Sequence, residues 1–185
     1  MTEAELAILS LVVQDAQHGY NIEQIIRERG MRDWAKIGFS SIYYLLSKLE
    51  RKGWIAGETD ATDSAGPGRK VYHITPKGMS VWHAGVLSVL STPKRYCTPM
   101  QVGLANLPAL PSEEAVAALS EYCRQLEERK AYVQTNLARA RARNKLPWNA
   151  ELMFDLSLSM TQAELSWIKK LLRKLSAQSK GKDHA

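Results

Sequence analysis

Short polar and basic side chains share one helical face within residues 40–51 of this 185-residue chain. Small hydroxyl groups near a helix N-terminus let the backbone approach the base edges of a DNA major groove. Phenolic and basic groups further along the same face would reach bases or phosphates. The pattern therefore predicts a DNA-recognition helix. Its outer face comprises Ser40, Ser41, Tyr44, Ser47, Lys48 and Arg51.

Four further residues are candidates for phosphate contacts. Tyr20 stands at the start of a predicted helix, whose positive N-terminal end favours an anion. Lys36 precedes the recognition helix, and Arg69 and Lys70 follow a Gly-rich loop that predicts the tip of a β-hairpin. There they would enter the minor groove or follow the DNA backbone. The alternatives are that Tyr20 packs in the core, that Arg69 and Lys70 are ordinary strand-end charges, and that Lys48 and Arg51 belong to a solvated helix face.

Hydrophobic periodicity defines the elements that position this face. The predicted helices span 3–14, 19–29 and 40–52, and the predicted strands span 54–59 and 69–74. Thr2 and Glu5 have the spacing of a capping box at the first helix. Trp34 and Trp54 are expected in the core. Three helices followed by a β-hairpin predict a winged helix-turn-helix domain in a mainly α-helical protein.

The remaining residues are mainly helical by the same criteria. Thr75 and Pro76 suit the N-cap and first position of a fourth helix, and a short helix is expected near 98–106. Two long helices, about 112–143 and 149–177, then follow a coiled-coil-like period. The predicted organisation is a DNA-binding domain at 1–78, a connecting segment at 79–111, a helical dimerisation domain at 112–178 and a frayed tail at 179–185.

The last predicted helix carries two apolar rows. A helix that is apolar on two sides needs two covering surfaces, and the other long helix supplies only one. A second subunit is the natural source of the other cover, whereas in a monomeric bundle the fourth helix would take that place. The candidates for the dimer interface are Phe154, Leu158, Leu165, Ile168, Leu172 and Leu175. The second row comprises Leu152, Leu156, Met160, Ala163, Trp167 and Leu171.

Composition narrows the class of protein. The net charge of +6 favours an anionic partner such as nucleic acid, although weakly. Cys97 and Cys123 lack CxxC spacing and neighbouring histidines, so we expect neither a metal site nor another cofactor. The histidines stand in no nucleophile or metal motif, which argues against an enzyme. We expect no membrane span and no secretion signal, and therefore a cytoplasmic protein.

Three separated motifs carry a resemblance to a known family. They are HGY at 18–20, SIY at 41–43 followed by LSKLERKGWI at 46–55, and GRKVYHITPKG at 68–78. Their order and spacing resemble the PadR family of bacterial regulators over about residues 4–80, and the rest is similar to the longer members, which dimerise through a second helical domain. The resemblance implies a DNA-binding repressor that acts as a homodimer and is released by a small aromatic or hydrophobic compound. Because a dimer presents two recognition helices, we expect a palindromic operator.

The resemblance also implies individual roles. Tyr43 would offer its hydroxyl to a phosphate, with core packing as the alternative. The family usually has proline where Tyr44 stands, a departure that affects the operator sequence rather than DNA binding as such. The other class of function is a winged-helix module for protein–protein contact, which an apolar outer face on the recognition helix would favour. Candidates for an effector pocket, with core packing as the alternative for each, are Met79, Trp82, Met160 and Trp167.

Overall fold

A computed structural model of the chain describes residues 1–35, 37–38, 42–59, 70–93, 98–142 and 146–182. The chain forms two compact units, Met1–Arg95 and Tyr96–Ala185. Both are mainly helical, and the first also contains a small antiparallel sheet. Within the described residues, no helix combines the length and the apolar character that crossing a lipid bilayer requires.

The first unit has the element order of a winged helix-turn-helix domain, which confirms the prediction. Its elements are α1 (Glu3–Gln14), β1 (Gln17–His18), α2 (Gly19–Glu28), α3 (Arg32–Ala35), α4 (Ile42–Arg51), β2 (Ile55–Thr59), β3 (Lys70–Ile74) and α5 (Pro76–Ser91). The hairpin pairs Ile55 with Ile74. Strand β1, which is too short to show an alternating pattern, was missed; it pairs Gln17 with Tyr72 and completes the order β1-β3-β2.

Helix α1 begins with the predicted capping box. The Thr2 hydroxyl accepts a hydrogen bond from the Glu5 N–H at 3.1 Å, and Glu5 Oε2 accepts one from the Thr2 N–H at 2.8 Å. Two N–H groups at the start of α1 are thereby satisfied. The arrangement also holds the Glu5 carboxylate at the start of α1, so its second oxygen, Oε1, is available to a neighbouring element.

The core of the first unit lies between α1, α2 and α4. Ile8 and Leu9 of α1, Ile22 of α2, and Leu46 and Leu49 of α4 all have 0% exposure. Complete burial of one such side chain contributes roughly 1.5–3 kcal/mol relative to leaving it in water. The steps of three and four residues that predict these helices therefore correspond to their buried faces.

Trp34 is an exception to the predicted core. Its side chain is 49% exposed, whereas the neighbouring Ala35 is 3% exposed. Helix α3 is a single turn with one inner position, and Ala35 occupies it. Trp54, in contrast, is half-buried against the core, as expected.

Helix α5 packs on the rest of the first unit. Thr75 caps it, as predicted, by accepting a hydrogen bond from the Gly78 N–H at 2.9 Å. A Cβ atom on Gly78 would lie 1.8 Å from the carbonyl oxygen of Trp54, so only glycine fits this close approach. Trp82 Nε1 donates to the hydroxyl of Ser10 on α1 at 3.0 Å. These contacts make α5 part of the first unit, whereas the sequence suggested a boundary near residue 78.

The second unit is built on two long antiparallel helices. Its elements are α6 (Pro99–Ala105), a 3-10 turn (Leu107–Ala109), α7 (Ser112–Ala142) and α8 (Trp148–Lys182). Helix α6 agrees with the short helix expected near 98–106, and α8 continues into the tail that was expected to fray. Tyr122 donates to Glu164 at 2.5 Å across the pair. The buried residues between α7 and α8 are Leu119, Cys123, Leu126, Leu165 and Ile168.

The predicted interface row on α8 faces α7 of the same chain. Leu165 and Ile168 are 3% and 1% exposed, so their side chains leave no surface for a second subunit. A coiled-coil period indicates a helical partner without specifying which chain supplies it, and here α7 supplies it. The roles of Leu165 and Ile168 are corrected accordingly. A subunit contact stays a prediction for the half-buried members Phe154, Leu158, Leu172 and Leu175.

The second apolar row of α8 is exposed. Leu156 is 61% exposed, Met160 50% and Trp167 47%. At about 3.6 residues per turn, this row lies on the side of α8 away from α7. We call the exposed members the outer row. They are Leu152, Leu156, Met160, Ala163 and Trp167.

Candidate nucleic-acid interface

Helix α4 presents a polar and aromatic face to solvent. Buried Leu46 and Leu49 anchor its inner side, and helical periodicity puts Tyr44, Ser47 and Arg51 on the opposite side. All three are exposed, and Arg51 makes no ion pair with any residue that the structure describes. We call these three residues the outer stripe. They offer a phenol, a hydroxyl and a guanidinium, groups that bind base edges or phosphates.

Two tyrosines flank the start of α2. Tyr20 is 67% exposed and Tyr43 is 62% exposed, which excludes the core-packing alternative for both. A Cβ atom on Gly19 would lie 2.9 Å from Tyr43 Cε1, so the Tyr43 ring lies against the first residue of α2. His18 is the N-cap residue of α2, and its side chain makes no capping hydrogen bond within the described residues. The α2 N-terminus therefore has the polarity and the neighbouring hydroxyls that suit a phosphate.

Lys48 turns away from the outer stripe and binds α1. Its Nζ lies 2.9 Å from Glu5 Oε1, and the Nζ of Lys52 lies 2.8 Å from the same oxygen. Burial raises the pKa of Glu5, whose side chain is 2% exposed, but the hydrogen bonds from Lys52, the Thr2 N–H and Lys48 outweigh it and lower the pKa to about 2. Lys52 also lies 4.3 Å from the centroid of the Trp54 ring. Both lysines are thus occupied within the unit.

Lys70 is held in a similar way on the other flank of α4. Its Nζ lies 2.7 Å from Glu50 Oε1 and 2.8 Å from Oε2, and this contact raises the pKa of Lys70. Glu50 Oε1 also accepts the Gly57 N–H at 3.2 Å. A Cβ atom on Gly57 would lie 2.1 Å from Lys70 Cε, so the aliphatic chain of Lys70 crosses Gly57 to reach Glu50. The pair ties β3 to α4.

Four of the predicted site residues lie outside the described residues, and their assigned DNA contacts stay predictions. They are Lys36, Ser40, Ser41 and Arg69. The effector candidates are divided between the units. In the first unit Met79 is 40% exposed and Trp82 is half-buried, and in the second Met160 and Trp167 are 50% and 47% exposed. The effector pocket also stays a prediction.

Sequence reasoning missed Glu5 and Glu50 as partners of the basic residues. The capping spacing of Glu5 is visible in the sequence, but its partner Lys52 is 47 residues away. Lys70 lies 20 residues from Glu50. No local periodicity reveals pairs at such separations, because they form only when the elements pack together.

One family of known proteins matches most of the first unit. Residues 8–84 match the family described as "Transcriptional regulator PadR-like family". These residues include α4, the hairpin and most of α5. No curated protein matches the sequence at a significant level.

Solved structures share the fold of almost the whole chain. Bacillus subtilis PadR in complex with operator DNA is 19% identical, with a TM-score of 0.74, over 92% of this chain and 98% of that one. Bacillus subtilis PadR in complex with p-coumaric acid is 18% identical, with a TM-score of 0.77, over 94% and 99%. The Vibrio cholerae virulence activator AphA is 19% identical, with a TM-score of 0.70, over 95% and 99%. At these identities the likeness establishes the fold.

The buried charge of Glu5 makes the stability of the first unit depend on pH. The folded pKa of about 2 lies below the ordinary value of 4.5, so the contribution is complete above pH 4.5 and is lost as the pH falls towards 2. Linkage puts its size on the order of 3 kcal/mol. Glu5→Gln keeps a capping-box residue but removes the titrating charge. In urea unfolding, the wild type should have a larger free energy of unfolding than this variant above pH 4.5, and this difference should shrink as the pH falls from 4.5 towards 2.

The matched control is Glu28→Gln, which removes an exposed acid at the C-terminal end of α2. This variant removes one acidic charge without touching any partner of Glu5, so it accounts for the effect of net charge alone. A Glu5→Gln difference that stays constant from pH 7 to pH 2.5 would contradict the assignment.

Proposed function

We propose that this chain, which belongs to the PadR-like family of transcriptional regulators through residues 8–84, binds duplex DNA as a homodimer through α4. The observation that carries the proposal is the outer stripe. Tyr44, Ser47 and Arg51 are exposed on one side of a helix whose opposite side is fully buried in a core. A rigid helix with hydrogen-bonding groups on a single exposed face fits the major groove, where base edges differ. The shared fold with Bacillus subtilis PadR, whose structure contains operator DNA, supports this choice.

Phosphate contacts complete the proposed DNA interface. Tyr20 and Tyr43 are exposed beside the α2 N-terminus, so their hydroxyls and the helix N–H groups suit one phosphate. From the sequence, the remaining contacts are assigned to Lys36 before the recognition helix, the serines that open it, and Arg69 on the wing. The polar composition of the outer stripe favours DNA over a protein partner, because its hydroxyl and guanidinium groups match the hydrogen-bonding groups of base edges and phosphates.

The outer row of α8 supports a second copy of the chain as the partner. Leu152 and Leu156 are 56% and 61% exposed, and the row continues along the helix to Trp167. Contiguous apolar surface of this kind marks an interaction site, and a two-fold dimer is the commonest closed arrangement. Since the row lies away from α7, a second copy can cover it without disturbing the core between α7 and α8.

A homodimer would determine both the symmetry of the operator and the way in which DNA binding is regulated. Two recognition helices related by a two-fold axis require a palindromic operator with half-sites about 34 Å apart or a multiple of that distance. We propose that the protein is a cytoplasmic repressor of transcription. A small aromatic or hydrophobic compound would release the repressor by binding one conformation of the dimer better than the other.

Arg51→Ala should weaken operator binding because it removes the guanidinium of the outer stripe. If Arg51 contacts one phosphate, the negative slope of log K against log salt should become shallower, its magnitude falling by about 0.9. Arg27→Ala removes the same charge from an exposed position near the C-terminal end of α2 and should change the slope little. Fluorescence anisotropy with a duplex recovered from genomic fragments measures both.

The same duplex tests the operator. Footprinting of the wild type should show two protected half-sites in inverted orientation. A single protected half-site, or equal slopes for Arg51→Ala and the wild type, would count against the DNA interface described above.

Leu156→Asp should convert the dimer into a monomer, because it places a charge in the middle of the outer row. The single chain should remain folded, since Leu156 is 61% exposed. The control, Gln162→Asp, adds a charge on another face of α8, where Lys130 Nζ lies 2.5 Å from the Gln162 amide oxygen. Analytical ultracentrifugation with circular dichroism distinguishes the outcomes. A variant that stays dimeric would remove the outer row from the interface.

The effector proposal is tested with small aromatic acids. Bacillus subtilis PadR has been solved with p-coumaric acid, so this compound is the first probe. Calorimetric titration of the dimer should show saturable heat, and the same concentrations should release the operator duplex. The absence of both heat and release across a panel of such acids would exclude this class of effector.

A further inference from the structure

We infer that Glu5 and Glu50 are positioning residues that hold Lys48 and Lys70 off the DNA backbone and so lower the sequence-independent affinity of the α4 surface. This inference rests on the proposed DNA-binding function and adds two carboxylates that restrain its lysines. Both lysines have the charge and the location for phosphate contacts. Each is instead bound within the first unit.

The first flank of α4 is closed by Glu5. Its buried Oε1 accepts from Lys48 at 2.9 Å and from Lys52 at 2.8 Å. Oε2 is occupied by the Thr2 N–H at 2.8 Å, so the carboxylate cannot rotate away without breaking the capping box. The lysine side chains are only 33% and 34% exposed. Charge-assisted hydrogen bonds to a buried acceptor are strong, so a DNA phosphate competes for Lys48 at a disadvantage.

The second flank is closed by Glu50. Its two oxygens both lie within 2.8 Å of Lys70 Nζ, and its position is fixed by the Gly57 N–H at 3.2 Å. The absence of a side chain at Gly57 is what lets Lys70 cross the hairpin, since a Cβ there would lie 2.1 Å from Lys70 Cε. Tyr72 lies beneath the same amine, 5.6 Å from ring centroid to Nζ. Lys70 is therefore directed along the hairpin towards α4.

The expected effect concerns binding that ignores sequence. Such binding comes from cations that replace the counterions of phosphates, and each contact adds about 0.9 to the magnitude of the negative slope of log K against log salt. A lysine that remains paired with a carboxylate adds little to this term. The outer stripe, between the two flanks, then supplies a larger share of the contacts made by α4.

Three variants release the lysines by different means. Glu50→Gln removes the charge that holds Lys70 but keeps an oxygen for the Gly57 N–H. Gly57→Ala displaces Lys70 without changing the net charge. Glu5→Gln retains the capping box and releases Lys48. Each should steepen the salt dependence of binding to a random-sequence duplex by about 0.9 and raise its affinity several-fold at low salt.

Two controls separate restraint from net charge and from folding. Glu28→Gln changes the net charge by the same amount away from both flanks and should leave the slope unchanged. Adding Lys48→Met to Glu5→Gln should return the slope to that of the wild type, whereas Lys48→Met alone should change it little. Circular dichroism and urea unfolding establish that each variant is folded under the assay conditions. Glu50 is partly exposed and Gly57 lies in a strand, so these two variants test the idea even if Glu5→Gln unfolds.

The outcomes are distinguishable. A wild type that binds no duplex at any salt concentration would overturn the proposed function itself. If the wild type binds but folded Glu50→Gln and Gly57→Ala keep its slope, the restraint by Glu50 is wrong. If folded Glu5→Gln keeps the wild-type slope, or Lys48→Met alone lowers it by about 0.9, the restraint by Glu5 is wrong. A purely structural role would lower affinity without steepening the salt dependence.

Discussion

The arrangement of the first unit depends on one buried carboxylate, that of Glu5. A buried charge is costly unless hydrogen-bond donors or opposite charges satisfy it, and here the donors come from both of the helices that pack together, α1 and α4. The Thr2 N–H belongs to the start of α1, whereas Lys48 and Lys52 belong to α4. The Glu5 carboxylate accepts hydrogen bonds from all three donors only when α1 and α4 pack in this orientation. The direction in which α4 presents its outer stripe is set by the same contact.

The hairpin is attached to α4 by a second ion pair, and the two pairs divide the helix into faces. Glu5 occupies one flank and Lys70 the other, through Glu50. Tyr44, Ser47 and Arg51 are left exposed between them. Lysines that appear in the sequence as an open basic surface are therefore part of the internal structure of the domain, and the exposed chemistry of α4 is mainly that of two phenols, a hydroxyl and one guanidinium.

The second unit shows how far a periodic pattern can be interpreted. The two apolar rows of α8 correctly indicate two helical faces that require cover. The pattern does not specify which row meets which partner, because a knobs-into-holes surface is the same whether the other helix belongs to the same chain or to another. Packing assigns Leu165 and Ile168 to α7 and leaves Leu156 exposed. Trp34 is a smaller case, since a one-turn helix is too short for periodicity to choose its inner residue.

The sequence by itself determined the hairpin, the helices other than the single-turn α3, the capping residues Thr2 and Thr75, and the outer position of Tyr44 and Arg51. These features are encoded by neighbours three or four residues apart, or by strict alternation, and so can be read locally. Only the tertiary structure decided that Glu5 holds Lys48, that Glu50 holds Lys70, and which row of α8 is covered. Such contacts join residues far apart in the chain. Their energies arise when water is excluded between packed elements, which no local pattern of residues records.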